Sequence, residues 1–388
     1  MGELVMGVFP AKRASGVPWP RSRRLWWLLW SRCPGLGWVR LRQLESAFGG
    51  LEAAWSASPG AIAKLPGWPG KQREVVESFR ARWGKDPLAL LLATPRQGLG
   101  VLLPGDHRWP RGMGSLQRPP LGLYWKGRGS LWAPLHRRLA VAVVGTRRPS
   151  SHGLAMARSI GAALARSGWP VVSGLAEGID AAAHLGCLEQ AGRPVAVLGT
   201  PLDRVYPRHH EELQKQVSRQ GLLVSEQPPG AHVQAAHFAT RNRLQVALAA
   251  AVVVVECPES SGALHSAEHA WKEELPLWVV PADAGKASAA GSNRLLALGA
   301  TPLLSPPDLI DQLGPGPLTP HAPPALGLRA GRFGPGQRAL LEAVGPGASL
   351  DQLTLSLGRP AGELASQLLT LELAGALRAE PGLGWRPL

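Results

Sequence analysis

From Arg138 onward the chain alternates short, almost wholly apolar runs with longer segments in which apolar residues recur every three to four positions. A run too short for a helix and apolar at consecutive positions is a strand covered on both faces, and Ala251-Val252-Val253-Val254-Val255 is the clearest example. The candidate strands are Leu139 to Val144, Pro170 to Ser173, Pro194 to Leu198, Leu222 to Val224, Ala251 to Val255, Pro276 to Val280 and Thr301 to Leu304. Between the first two, Ala155, Ile160, Ala163 and Leu164 lie at helical spacing, and Gly168 stands where the helix should stop. That is a βαβ unit. Its repetition predicts an α/β fold, a Rossmann-like doubly wound parallel sheet.

The flanks read differently. Residues 1–24 carry scattered Pro and Arg without a period and are expected to be a disordered basic tail. Residues 25–85 predict a small helical domain, in which Cys33-Pro34-Gly35-Leu36-Gly37 and Leu65-Pro66-Gly67-Trp68-Pro69-Gly70 resemble helix-hairpin-helix turns. Such turns offer N–H groups to phosphates, and they are equally ordinary as scaffold between helices. Residues 86–312 form the extended sheet domain, with 86–136 as its connecting lead-in. The Pro- and Gly-rich stretch 313–336 reads as a linker. In 337–388, a helix from Arg359 to Ala374 carries Leu364, Leu368 and Leu371 on one face, Gly375 ends it, and a hairpin follows, as in a winged-helix domain.

At 388 residues the chain accommodates two or three domains, each with its own core. A formal charge of +15 and a pI near 10.9 suit a polyanionic partner. Arg, Pro, Ala and Gly enrichment also follows from biased codon usage, so the location of the charge matters more than its sum. Cys33, Cys187 and Cys257 lie far apart, form no C-x-x-C pair, and suit a reducing cytoplasm. The apolar run Leu25 to Trp30 is too short to span a membrane or serve as an export signal, and predicts a buried helix without membrane insertion.

Three segments carry candidate chemistry. Val141 to Arg148 is an apolar run closing on Gly145, Thr146 and Arg147, ahead of a helix opened by Ser150 and Gly153. Backbone N–H groups, a hydroxyl and a cation at a strand's carboxyl edge, beside a helix amino end, make a phosphate site. Val171 to Asp180 repeats the pattern with Ser173 and Gly174, whose lack of bulk lets a ligand backbone approach. Phe238 to Arg243 then brings an aromatic face, an amide and two guanidinium groups: Arg241 and Arg243 for phosphates, Asn242 for a base edge. Phe238 either stacks an unpaired base, worth ~1–3 kcal/mol, or packs in the core. Ser261 and Gly262 form a further anion-friendly turn. Together these meet the needs of a nucleic-acid strand.

Catalytic patterns are weaker. No G-x-x-x-x-G-K-[ST] occurs, and Gly174-x-x-x-Gly178 is no dinucleotide fingerprint. Asp180 and His184, four apart on a helix, read either as an acid–base pair or as structural residues, with neither a nucleophile nor a metal cluster beside them. The expectation is a protein with no catalytic residue, no metal and no cofactor.

In order and spacing these segments resemble the DNA-processing protein A family (DprA, also called Smf). The likeness continues through Ala183-His184, Ala196 to Gly199, Asp203, Tyr206-Pro207, Ser225-Glu226, Val255-Glu256, Ser261-Gly262, Gly291 to Arg294 and Gly299-Ala300. It covers roughly 100–304 well and the ends more loosely. The resemblance implies a cytoplasmic, non-enzymatic single-stranded DNA-binding protein of natural transformation, a homodimer that protects incoming DNA and loads the RecA recombinase onto it. It also maps the segments above onto the family's DNA pocket. Departures stand at Trp109, where the family has tyrosine; at Ala239 and Thr240, where it has proline and a basic residue; and at Ala263 to Ser266 and Pro281 to Asp283. One rival is a nucleotide-processing enzyme related to cytokinin-activating phosphoribohydrolases, whose Pro-Gly-Gly-x-Gly-Thr turn is followed by a glutamate. Pro258 to Gly262 lacks that glycine run, although Glu268 lies further on. A transcription regulator built on the winged helix is a third reading, disfavoured by the linker and the modest basic content of that end.

Overall fold

A computed structural model describes residues 19–94, 98–319, 335–345, 347–373, 376–380 and 384–387. The chain divides into two compact units, Met1–Thr319 and Pro320–Leu388.

The first unit is built on a nine-stranded sheet: β1 (Gly100–Leu102), β2 (Leu123–Gly127), β3 (Val141–Val144), β4 (Val171–Ser173), β5 (Pro194–Leu198), β6 (Leu222–Ser225), β7 (Ala251–Val254), β8 (Leu277–Val279) and β9 (Thr301–Pro302). Their spatial order is β1-β2-β6-β5-β4-β3-β7-β8-β9. From β6 to β9 every pairing is parallel, while β1 and β2 add an antiparallel edge. Alternate valines separate the two faces. Val141, Val143 and Val253 join the core under helices Ser151–Arg166 and Ile179–Glu189. Ala142, Val144, Val252 and Val254 join the core under helix Ala263–Lys272. Coverage on both faces is why these strands read as unbroken apolar runs.

Helices Ser151–Arg166 and Ile179–Glu189 touch through glycine. A side chain at Gly161 would fall 2.1 Å from the Ala183 carbonyl oxygen, and one at Gly186 would fall 1.9 Å from that of Arg158.

The helical region contains Arg21–Trp30, Trp38–Ala47, Leu51–Ser56, Pro59–Ala63, Gly70–Trp83 and Pro87–Ala93. Trp27, Trp30, Leu41 and Leu44 are fully buried, in a cluster continuous with Tyr124, Ala196, Leu198 and Leu223 of the sheet. The helices therefore extend one face of the sheet. The first glycine turn meets the helix that the second one opens: Gln72 donates to the Pro34 carbonyl (3.2 Å), and Arg40 bonds both the Gly35 carbonyl and Gln72 (3.3 Å each).

Several expectations need revising. The lead-in 86–136 supplies two strands, β1 at the edge and β2 paired between it and β6; Leu123 and Tyr124 are buried while Lys126 is exposed. Of the tail predicted over 1–24, residues 1–18 lie outside the described residues, and the first helix already begins at Arg21. Arg23 bonds Glu45 there, and Arg24 pairs with Asp106. Of the predicted linker, residues 320–334 lie outside the described residues. Gly314–Thr319 is bound to the first unit: Gly316 N–H donates to Ser167 O (2.6 Å), Leu318 N–H to Gly168 O (3.0 Å), and the Trp169 indole to Gly314 O (2.9 Å).

The second unit packs helices Pro335–Val344, Leu350–Leu357 and Ala361–Leu373 on a three-stranded antiparallel sheet of β10 (Ala348–Ser349), β11 (Leu377–Glu380) and β12 (Gly384–Pro387). Leu340, Leu353, Leu364, Leu368, Leu371 and Trp385 form its own core. This is a winged helix. Among the described residues no helix is long and apolar enough to cross a membrane.

Candidate nucleic-acid interface

The chain reverses direction across the sheet between β3 and β7, so the turns leaving their carboxyl ends flank the switch point of the fold. The sequence-predicted turns do meet there. Thr146 N–H donates to Glu256 O (2.7 Å), and Ile179 N–H donates to Thr146 O (3.2 Å). Gly178, at φ +79, has its open side 2.5 Å from Thr146 O, and a side chain at Gly145 would strike Ile179 Cγ1 at 2.6 Å. Both glycines are needed for the turns to abut.

The helix amino end expected to hold a phosphate is already filled. Ser150 caps the helix by accepting from Gly153 N–H (3.2 Å), and the Glu256 carboxylate sits against it. Glu256, 2% exposed, accepts from Ser150 N–H (3.2 Å), Ser150 Oγ (2.7 Å) and Ser288 Oγ (2.6 Å), with Lys286 Nζ at 3.6 Å. Burial opposes its charge most strongly, yet the hydroxyl and backbone bonds and Lys286 together hold its carboxyl below the usual range. The expected seat for a phosphate beneath Ser150 is thus taken by an internal anion.

Beneath the crevice lies a buried polar floor that revises three further expectations. Arg241 is 6% exposed and points inward, its Nη1 donating to Val197 O (2.9 Å) and its Nη2 lying 3.7 Å from Asp180 Oδ2. Gly174 lacks bulk to admit this guanidinium, since a side chain there would fall 1.3 Å from Nη1. The Gly174 N–H donates to Asp180 Oδ2 (3.1 Å), and Ser173, wholly buried, donates from Oγ to Val143 O (2.7 Å). In the orientation its neighbours require, the Gln245 amide oxygen accepts from Arg241 Nη1 (2.6 Å) and Gly174 N–H (2.8 Å). Burial pushes the Asp180 carboxyl above its usual range, against the pull of Arg241. His184 is fully buried with neither ring nitrogen bonded, and desolvation, then the charges of Arg241 and His210, lower its pKa to about 3. Asp180 and His184 are thus part of the buried floor.

Above the floor an aromatic and cationic surface faces solvent. Arg147 is exposed, with its guanidinium 5.8 Å from the Phe238 ring centroid. Phe238, on helix Ala235–Thr240, is partly exposed and belongs to no core cluster; it leans on Gly199 at the end of β5. Tyr206, 50% exposed, lies 4.8 Å from Phe238 at an interplanar angle of 48°. His210, bonded to Leu175 O (3.0 Å), ties this loop to the turn after β4. The rest of the predicted segment is engaged elsewhere: Arg243 bonds Glu226 (2.6 Å), and Asn242 donates to Gly262 O (3.0 Å). Ser261 accepts from Ala263 N–H (3.2 Å), while Gly262 is exposed. Sequence reasoning passed over Tyr206 and Glu256 as site residues. Their signals were an aromatic in a proline turn and a carboxylate directly ending an all-apolar strand.

Among the described residues no group of three or more His, Cys, Asp or Glu is placed to hold a metal. Glu268 is exposed and lies 3.5 Å from His265.

Comparison with known proteins gives a consistent match. The profile of the DNA recombination-mediator protein A family matches residues 100–314, and that of the DprA winged helix domain matches 317–383. Protein Smf of Synechocystis sp. is 33% identical over 94% of this chain and 99% of its own length. The Bacillus subtilis DNA processing protein DprA is 31% identical over 58% of this chain and 74% of its own. Among solved structures, that of DNA processing protein A from Streptococcus pneumoniae aligns with a TM-score of 0.62 at 26% identity, covering 74% of this chain and 97% of that one. The Helicobacter pylori DNA processing protein A, described for its single-stranded DNA binding mode, aligns at 0.50 with 29% identity, covering 55% and 95%. With one profile spanning the sheet and a full-length relative at this identity, the chain belongs to the DNA recombination-mediator protein A (DprA/Smf) family.

Proposed function

We propose that the chain binds single-stranded DNA across the carboxyl edge of its sheet, without catalysis, as a mediator that protects incoming strands in natural transformation and delivers them to the RecA recombinase as a homodimer. The observation that carries the binding site is the exposed group of Arg147, Phe238 and Tyr206: two aromatic faces for unpaired bases beside a guanidinium for phosphate. The H. pylori relative's described binding mode supports the substrate, and family membership supports the RecA and dimer assignments. Burial of Asp180 and His184 supports the non-enzymatic reading, since it argues against that pair as an acid and base.

Stacking and phosphate neutralisation are largely blind to base identity and sensitive to salt. Fluorescence anisotropy with a poly-pyrimidine strand and a duplex of equal length, over a salt series, tests the reading. The strand should bind far more tightly; equal or tighter duplex binding refutes it. Hydrolysis of ATP or nucleoside monophosphates above background would refute the non-enzymatic assignment.

A further inference from the structure

The switch point of an open α/β sheet is where such folds usually receive a ligand, and here the chain fills it from within. Four donor groups converge on the Glu256 carboxylate: the Ser150 N–H, Ser150 Oγ, Ser288 Oγ and Lys286 Nζ. They come from two segments distant in sequence, the start of helix Ser151–Arg166 and the loop after β8, so tertiary structure assembles the seat rather than a helix end alone. Gly153 is cut away for it, because a side chain there would lie 2.3 Å from Glu256 Oε2. Lys286 also donates to Ser150 Oγ (2.8 Å), closing the loop over the seat. A carboxylate and a phosphate monoester present the same thing to such donors, acceptor oxygens bearing negative charge.

We propose that Glu256 determines specificity by pre-empting an anion seat: its carboxylate occupies the place that orthophosphate or a mononucleotide's terminal phosphate would take, leaving only ligands held by Arg147, Phe238 and Tyr206. This rests on the reading of those three residues as strand contacts. Without the carboxylate, the hydroxyls and the N–H lose their acceptor and Lys286 its counter-charge, and the seat recruits an anion in its stead.

Calorimetric titration of the full chain with inorganic phosphate and with thymidine 5′-monophosphate, in chloride buffer, tests the idea. The wild type should not bind phosphate, and should bind the mononucleotide only as weakly as its surface contacts with Arg147, Phe238 and Tyr206 allow. Glu256→Ala and Glu256→Ser should bind both, at least about tenfold more tightly than wild type. Glu256→Gln, which keeps the seat filled, should not gain binding, and adding Lys286→Ala to Glu256→Ala should cancel the gain. Phosphate should raise the melting temperature of the Ala and Ser variants above that in chloride of equal ionic strength, and leave the wild type unmoved. No gain in a variant that folds overturns the proposal, as does phosphate binding by the wild type or collapse of both variants even in phosphate. Oligo-dT titration of the wild type stands apart: its failure sinks the strand reading, while the phosphate arms still decide the seat.

Discussion

Arg147, after a Gly-Thr turn, and Arg241, at the opening of a helix, read alike in the sequence as cations for phosphates, yet one faces solvent and the other lies under the crevice. The deciding partner of Arg241 is Gly174, distant in the chain, whose missing side chain opens the guanidinium's pocket. No local pattern reports such a vacancy; the sequence offered Phe238 equally for stacking or for core packing, and only the fold leaves Phe238 and Arg147 at the surface. The consequences of mutation separate accordingly. Arg147→Ala and Phe238→Ala should each weaken strand binding by ~1–3 kcal/mol with unchanged melting temperature. Arg241→Ala strands Asp180 as an unpaired buried carboxylate and should cost about 3–5 kcal/mol of stability, read by urea unfolding. A stable Arg241→Ala protein would return that arginine to the surface. His184 gives the floor a pH signature. Its folded pKa of about 3 lies below its ordinary 6.5, so the unfolded chain takes up a proton that the folded chain refuses. The resulting stability is complete above about pH 6.5 and is lost as pH falls toward 3, at about 1.4 kcal/mol per unit. Asp180, raised by burial, works in the opposite sense and is present in both proteins compared. His184→Leu should therefore decline less steeply than wild type between about pH 6 and pH 4; parallel curves would exclude His184 as the source.

At the scale of elements, the central parallel strands were legible because burial on both faces leaves them almost wholly apolar, with Ser173 and Ser225 only at their carboxyl ends, and each predicted run overlaps its observed strand. The edge was not. In β2, Lys126 ends the apolar run after three residues, and the three residues of β1 are too few to establish a period. The segment Gly314–Thr319 misled for another reason: its Pro and Gly content reads as a linker, whereas its backbone is held by the Ser167–Trp169 turn. Glycines inside helices also carry tertiary information that composition conceals. Gly161 faces the Ala183 carbonyl, so Gly161→Ala must push helices Ser151–Arg166 and Ile179–Glu189 apart and should cost ~1–3 kcal/mol. Gly362, in helix Ala361–Leu373, has nothing within 4 Å of the added carbon, and its replacement by Ala should be neutral or stabilising. Thermal melts of the two single variants provide the comparison, and equal effects would mean that the helix contact is looser than its geometry.

For the whole molecule, the division into two units bears directly on where a strand binds. Arg147, Tyr206 and Phe238, with the floor that positions them, all belong to Met1–Thr319, and that unit buries its own clusters of apolar residues. The winged helix has a separate core around Leu364, Leu368 and Trp385. A chain ending at Thr319 should therefore remain folded and keep most of its affinity for a poly-pyrimidine strand. Its salt dependence should stay close to that of the full chain, because the slope counts the phosphates neutralised, and Arg147 is retained. Arg378→Ala, on the exposed face of β11, should leave strand affinity almost unchanged, while Arg147→Ala lowers both the affinity and the slope by about one phosphate's share. Anisotropy titrations of the truncated chain and the two single variants at several salt concentrations give affinity and slope together. If the truncated chain melts normally yet loses nearly all binding, and Arg378→Ala reproduces that loss, the strand is held by the winged helix and the carboxyl edge of the sheet is not its site.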